Sequence, residues 1–313
     1  MGRGRVYQIK DDKTRAIADY NRAVDVDPDY AAAYIAISSF YHISNPDQAV
    51  AAYNKAVSLD PDNARMYYAR GCFYLYRYRD WDKAIADYTQ ALRLDPNFTS
   101  VYSWRAEAYA QKNDYDRAIA DYDRLISIDP GDGTWYSARG NTYNQKGDYN
   151  SAIRDYTTAI RFSPDDASDY ESRGLIYYDI GDYDRAIADY TQAIRLYHDP
   201  FLPAMAYTFR GDAYAQKKDY DRTITDYTNV INSGFNGMMT TDAYVNRGIA
   251  YYNKKDYRRA RFVHAPLGTV KSRLFQHSDY QFLGGYRQTA GIFTPMFVLS
   301  PMYPLPSISR RPS

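Results

Sequence analysis

The sequence predicts an all-α fold, a solenoid built from antiparallel helix pairs, and three observations predict it. The phrase Arg-Gly-x-x-Tyr returns at Arg139, Arg173, Arg210 and Arg247. Pro96, Pro130 and Pro164 fall 34 residues apart, as do Gly140 and Gly174. The vocabulary is also narrow, with 37 tyrosines and an acidic set of aspartates in which Glu107 and Glu171 are the only glutamates. A fixed period of this length marks a tandem array in which each repeat is one supersecondary unit.

Each unit reads as two helices. In the fifth, Tyr136, Gly140 and Tyr143 are spaced i, i+4, i+7 and share one face of the first helix. The second helix begins at Asp148-Tyr149 and carries Ala152, Tyr156 and Ala159 on one face. Asp148 is placed as its N-cap, where a carboxylate accepts from free backbone amides and suits the positive end of the helix dipole. That role helps account for the excess of aspartate over glutamate. Pro164 closes the unit, because the residue before a proline is pushed out of the helical region. Small residues at the remaining core positions let the helices approach while tyrosine fills the space between units.

Along the chain, the first unit carries Gly4, Tyr7, Ala16, Tyr20, Ala23 and Pro28. The next two end at Pro61 and Pro96. The second has Ser38 for the glycine and Pro46 at the start of its second helix, where proline is tolerated. The third has Trp81 for the usual tyrosine and an inter-helix turn one residue longer. The fourth and fifth end at Pro130 and Pro164. Gly174, Gly211 and Gly248 of the next three are 37 residues apart, so residues are inserted at His198-Asp199-Pro200 and around Ser233–Met239. Longer surface loops are the expected result. The eighth unit shows Gly248, Tyr251 and Ala260 before the pattern stops.

These residues resemble the tetratricopeptide repeat, W-x2-L-G-x2-Y…A-x3-F…P. Gly140, Tyr143, Ala152, Tyr156, Ala159 and Pro164 match it, with Tyr for Phe and Arg139 where the family has Leu. The resemblance covers residues 1–261, about seven units plus a broken eighth. It implies a right-handed superhelix whose first helices line a concave surface, and a protein-protein interaction scaffold that binds peptide segments there. The ligand-facing stripe that the resemblance implies contains Tyr68, Cys72 and Leu75, then Ser103, Glu107 and Ala110, then Ser137, Asn141 and Asn144. It continues through Glu171, Leu175 and Tyr178, then Thr208, Asp212 and Ala215, and ends at Val245, Ile249 and Tyr252. Family members that hold acidic chaperone tails use Lys, Arg and Asn on this stripe. Here the asparagines are present and no Lys or Arg is, so the partner is expected to be a neutral or basic protein or peptide rather than an acidic one. An alternative is a regulatory or targeting fragment of a larger multidomain protein or enzyme.

Other function classes find no support. With 39 basic and 38 acidic residues the net charge is +1, against the basic excess that nucleic-acid binding needs. Cys72 is the single cysteine, which excludes an intramolecular disulfide and a cysteine-rich metal site. The histidines His42, His198, His264 and His277 lie far apart, and no nucleophile sits in a catalytic motif. No enzyme activity, cofactor or metal is therefore expected. No apolar stretch follows the basic start Met1–Arg5, so no signal peptide is read and the cytoplasm is the default compartment. Met1 falls inside the first unit's opening helix, as in a piece of a longer array. Residues 262–313 change character, with Asp279 against five bases and six of the 14 prolines. The uncharged run Gln288–Ser309 is long enough to cross a bilayer, but Pro295, Pro301, Pro304 and Pro306 would break it as a helix. A disordered or loosely packed tail is expected, or one that caps the open end of the array.

One further expectation comes from comparing the units with each other. Arg3, Arg70, Arg105, Arg139, Arg173, Arg210 and Arg247 precede the glycine position, and Asp19, Asp87, Asp121, Asp155, Asp189 and Asp226 precede the second-helix tyrosine. The second unit has Ile37 and Ala52 at these places, so the two positions change together. A ladder of internal Arg–Asp pairs is predicted.

Overall fold

The computed structural model describes residues 13–197, 203–233 and 238–260. In chain order the helices are α1 (Lys13–Val26), α2 (Ala31–Ser44), α3 (Pro46–Leu59) and α4 (Ala64–Phe73), which runs into a π-helical turn (Tyr74–Tyr78). Then come α5 (Trp81–Leu94), α6 (Thr99–Gln111), α7 (Tyr115–Ile128), α8 (Gly133–Lys146), α9 (Tyr149–Phe162) and α10 (Ala167–Asp179). The array continues with α11 (Tyr183–Leu196), α12 (Ala204–Gln216), α13 (Tyr220–Asn232), α14 (Met238–Asn253) and α15 (Tyr257–Ala260). Each helix packs on its successor, and no strand occurs among the described residues. The expected α-solenoid of helix pairs is what forms. The expectations about His198-Asp199-Pro200, about most of the second insertion, about the first unit's opening helix and about the tail beyond Ala260 lie outside the described residues.

Start and stop signals work as the sequence implies. Asp80, Asp114, Asp148, Asp182 and Asp219 precede α5, α7, α9, α11 and α13, and each carboxylate accepts from the backbone amide three residues on. Asn45 does the same for α3, with Pro46 at its first turn. Asp60, Asp95, Asp129 and Ser163, each next to its proline, take φ between −137° and −130° and end their helices. The proline carbonyls are then used: Tyr34, Tyr102, Tyr136 and Tyr170 donate their hydroxyls to Pro28, Pro96, Pro130 and Pro164 at 3.2–3.3 Å. These bonds tie each first helix to the end of the unit before it.

The core is a row of alanines and tyrosines. Ala84, Tyr88 and Ala91 of α5, and Ala186, Tyr190 and Ala193 of α11, are fully buried. The rings of such tyrosines press against the glycine of the preceding helix. A Cβ at Gly71 would stand 2.8 Å from the Tyr88 ring, and one at Gly174 would stand 3.0 Å from the Tyr190 ring. Close approach therefore fixes glycine there.

The predicted ladder is present from the third to the seventh unit, while Arg3 of the first lies outside the described residues. Nε and Nη2 of Arg70, Arg105, Arg139, Arg173 and Arg210 donate to both oxygens of Asp87, Asp121, Asp155, Asp189 and Asp226 at 2.7–2.9 Å. In the second unit the exception also holds, since Ile37 and Ala52 pack together in an apolar cluster with Ala16 and Tyr20. The arginines do more than the sequence comparison showed. Nη1 of each reaches back to the preceding unit, to Asn54, Thr89, Asp123, Thr157 and Thr191. One guanidinium thus closes its own unit and fastens it to its neighbour. Arg247 keeps the backward bond, to Thr228 at 3.0 Å, while its Nε is buried without a partner among the described residues.

A second ladder joins units on the surface. Lys112, Lys146, Lys217 and Lys254, at the ends of first helices, pair with Asp82, Asp116, Asp184 and Asp221 in the first turns of the preceding second helices. Between the fifth and sixth units both places change at once, to Asn150 and Ile180.

Candidate functional site

The implied ligand-facing stripe is built from first helices, whose i, i+4, i+7 spacing puts its members on one face. The structure treats these residues unequally. Asn141 is exposed and Asn144 half-buried on α8. Ser103 and Thr208 donate back to the carbonyls of Ser100 and Ala204, a common use of helical hydroxyls. Ser137 donates at 2.6 Å to Asp169 of the following unit, so it serves as a bridge between units. Burial, partly offset by that hydrogen bond, pushes the Asp169 carboxyl up to about 6.

Leu75 requires a correction. It is 5% exposed and sits in the core with Ala84, Tyr88 and Leu92, offering no face to a ligand. The extra residue of the third unit is absorbed in the π-helical turn Tyr74–Tyr78, which ends on Arg79 at φ 51°. Within it Leu75 is buried and Tyr76 is 57% exposed. Ala110, at the same stripe position of the fourth unit, is likewise buried, at 7% exposure in the core with Ala106 and Tyr109, so it too is corrected. Tyr76 stands edge-on to Trp104 at 5.5 Å, and Tyr68 stands beside Phe98 at 5.1 Å. Cys72 accepts from the Tyr88 hydroxyl at 3.4 Å, and burial pushes its thiol above the ordinary range. It is a packed residue in an aromatic cluster.

The acids of the stripe accept from neutral partners. Glu107 accepts from Gln111 at 2.7 Å. Glu171 is held by the Tyr197 hydroxyl, while its Oε1 is buried without a hydrogen-bond partner among the described residues. Burial pushes its carboxyl up to about 7. Asp212 accepts from the Tyr227 hydroxyl at 2.6 Å. Tyr178 accepts at 3.4 Å from Gln216 across the boundary between the sixth and seventh units. In these units five of the cations are committed elsewhere: Arg173, Arg185, Arg210, Lys217 and Arg222 pair with Asp189, Asp182, Asp226, Asp184 and Asp219. The stripe is therefore tyrosine-rich and acidic, with no Lys or Arg on it. Among the described residues no three His, Cys, Asp or Glu side chains could hold a metal ion, and no helix is long and apolar enough to cross a membrane.

Sequence reasoning missed Tyr76 and Trp104. Each lies one residue after a member of the stripe, Leu75 and Ser103.

Comparison with known proteins agrees with this geometry. No curated protein matches the chain in sequence. Among solved structures, the C-terminal part of a TPR repeat-containing protein from Cytophaga hutchinsonii superposes with a TM-score of 0.64 at 15% identity, covering 77% of this chain and 97% of that one. A tetratricopeptide repeat protein from Parabacteroides merdae gives a TM-score of 0.56 at 19% identity, covering 80% and 96%. YrrB, a TPR protein with an unusual peptide-binding site, gives 0.50 at 19% identity, covering 60% and 96%. Family models described as TPR repeat or tetratricopeptide repeat match residues 1–30, 38–75 with 140–181, and 74–133 with 171–229. With the helix pairs, the capping aspartates and the Gly–Tyr contacts in place, the chain belongs to the tetratricopeptide repeat family of protein-interaction scaffolds.

Proposed function

We propose that the chain binds a peptide segment of a partner protein along the first-helix stripe, and that the segment is neutral or basic where it crosses the fourth to seventh units. The observation that carries this is the charge of the stripe: it presents Glu107, Glu171 and Asp212 and no Lys or Arg. An acidic segment would meet like charge and be desolvated against it, a cost that a neutral or basic segment avoids. Tyrosine supplies large contact area at low entropic cost, and Asn141 and Asn144 supply adaptable hydrogen bonds to a peptide backbone. The role is binding rather than catalysis.

The test is a fluorescence titration of the full chain with three peptide pools that differ only in charge. Neutral and basic pools should bind, and the acidic pool should not. Glu171→Lys should weaken binding of the basic pool and improve that of the acidic pool. Strongest binding of acidic peptides by the unaltered chain would overturn the reading.

A further inference from the structure

One aspartate of the surface ladder lacks its lysine. Lys112, Lys146, Lys217 and Lys254 each stand two places before the N-cap aspartate of the next helix, at Asp114, Asp148, Asp219 and Asp256. Two places before Asp80 stands Tyr78, the last residue of the π turn. The aspartate offered at this step is Asp47, exposed in the first turn of α3. It accepts from the Tyr78 hydroxyl at 3.3 Å, and no Lys or Arg pairs with it among the described residues.

The same place is a cleft. Between α3, the π turn and the start of α5 lies an open space of about 790 Å³, lined by Asp47, Asn54, Tyr74, Tyr78 and Trp81. Tyr78 is 44% exposed, and its ring is held edge-on to Phe73 at 5.6 Å and beside Tyr74 at 6.4 Å. Most charges on the walls are cancelled: Asp80 pairs with Lys83, and Asp82 with Lys112. That leaves Asp47 and Arg79, which also lines the cleft and pairs with no carboxylate among the described residues. A π turn within a helix often marks a functional place. This one sets two tyrosine rings beside the ladder's uncompensated carboxylate.

The geometry points to a docking cleft for one lysine side chain of a partner protein, supplied in trans where other steps of the array use a lysine of their own. The cleft holds no residue of the first-helix stripe, so it is a second contact surface, independent of the peptide reading above. An ammonium would donate to Oδ2 of Asp47 and to the Tyr78 oxygen, whose proton is already directed at Oδ1 of Asp47. Its apolar stem would lie along the Tyr78 and Trp81 rings, as amphipathic side chains do. The cleft already holds a lysine against an aromatic face, since Lys83 lies over the Tyr74 ring at 5.3 Å. An exposed ion pair by itself is weak, so these aromatic walls are what distinguish the cleft from an ordinary surface aspartate.

The experiment is fluorine NMR of the full chain labelled with 5-fluorotryptophan. Of the three tryptophans, Trp81 lines the cleft, Trp104 stands beside the stripe, and Trp135 serves as reference. The probe is a blocked Gly-Lys-Gly peptide, compared with Gly-norleucine-Gly and Gly-Glu-Gly. The lysine peptide should move the Trp81 signal saturably, in the millimolar range, and the other two should not. Asp47→Asn should weaken that binding about tenfold, as expected for a lost charge-assisted hydrogen bond. Asp116→Asn, the same change at a ladder position that has its lysine, should leave it unaltered. Tyr78→Lys should abolish it by returning the array's own lysine to the cleft. Arg79→Asn, which installs the residue the fourth unit has at that place, Asn113, should tighten it severalfold by removing a like charge. A glutamate peptide that moves Trp81, and is lost in Arg79→Asn, would make the cleft an anion site and overturn the proposal. Movement of Trp104 alone would place the lysine on the stripe, which overturns the cleft and leaves the peptide reading standing. An unmoved Trp81 signal would overturn the cleft as well.

Discussion

The Arg139 guanidinium donates to both oxygens of Asp155, at 2.7 and 2.8 Å, from side chains that are 18% and 9% exposed. The carboxylates of Asp155 and Asp123 hold that guanidinium well above its ordinary range. In the equivalent pairs, burial pushes the Asp121 and Asp226 carboxyls up against the pull of their arginines, so desolvation is a real cost at these positions. Removing one partner therefore strands a buried charge and should cost about 3–5 kcal/mol, against roughly 0–1 for an exposed pair. Replacing both with Leu and Tyr should be neutral or stabilising, as the apolar Ile37 and Ala52 of the second unit already illustrate. A double-mutant cycle on Arg139 and Asp155 by denaturant melts checks this. A coupling energy near zero would reduce the ladder to surface decoration.

Lys218 has φ 62° at the turn after α12, where the fifth and sixth units have Gly147 and Gly181 at φ 84° and 83°. The left-handed region is open to glycine and costs other residues about 1–2 kcal/mol. Lys218 is exposed, and its backbone amide bond to Ala215 survives substitution. Lys218→Gly should therefore stabilise the array by about 1 kcal/mol after glycine's larger entropy loss is counted. An unchanged or lower denaturation midpoint would contradict this.

What the sequence revealed, and what it hid, follows from how each feature is encoded. Caps and stops use one residue type at a fixed place, as at Asp148 and Pro164, and they read directly. The Arg–Asp ladder was legible because Ile37 and Ala52 vary together. Its backward bonds were not, since Asn54, Thr89 and Asp123 share an acceptor oxygen but no letter. The π turn that holds Leu75 and Tyr76 was invisible for another reason. An added residue shows that a turn is longer, and only the backbone shows that the length goes into a π turn. The open valence of Glu171 depends on what surrounds it in space.

The step between the fifth and sixth units lacks the surface Lys–Asp pair, with Asn150 and Ile180 in its place. Ile180 is 46% exposed, so an engineered pair there would be largely solvated. The double change Asn150→Asp with Ile180→Lys should leave the melting temperature unchanged in physiological salt and raise it only at low ionic strength. A large gain that persists in high salt would show that these pairs hold the stack together.

Stability should fall as pH rises from about 4.5 to about 7, and Glu171 should be responsible for much of the fall. Burial raises its carboxyl from 4.5 to about 7, and that of Asp169 from 3.8 to about 6. Between those limits the folded chain binds more protons than the unfolded chain, so the unfolding free energy decreases with pH. The stabilising effect is full below the unfolded values and gone above the folded ones. The capping carboxylates Asp80, Asp114, Asp148 and Asp182 are lowered by their amide and side-chain partners, and they act in the opposite sense. Their effect is lost only below about 3.8, outside this window. A tenfold change in proton affinity is worth about 1.4 kcal/mol, and Glu171 is only half-buried, so its share should be about 1–2 kcal/mol. Histidines titrate in the same range, and comparison with Glu171→Gln removes their contribution. Melting temperatures of the two chains should converge toward pH 5 and separate toward pH 8, with Glu171→Gln the more stable. Parallel curves would show that Glu171 is ionised and solvated in the folded array.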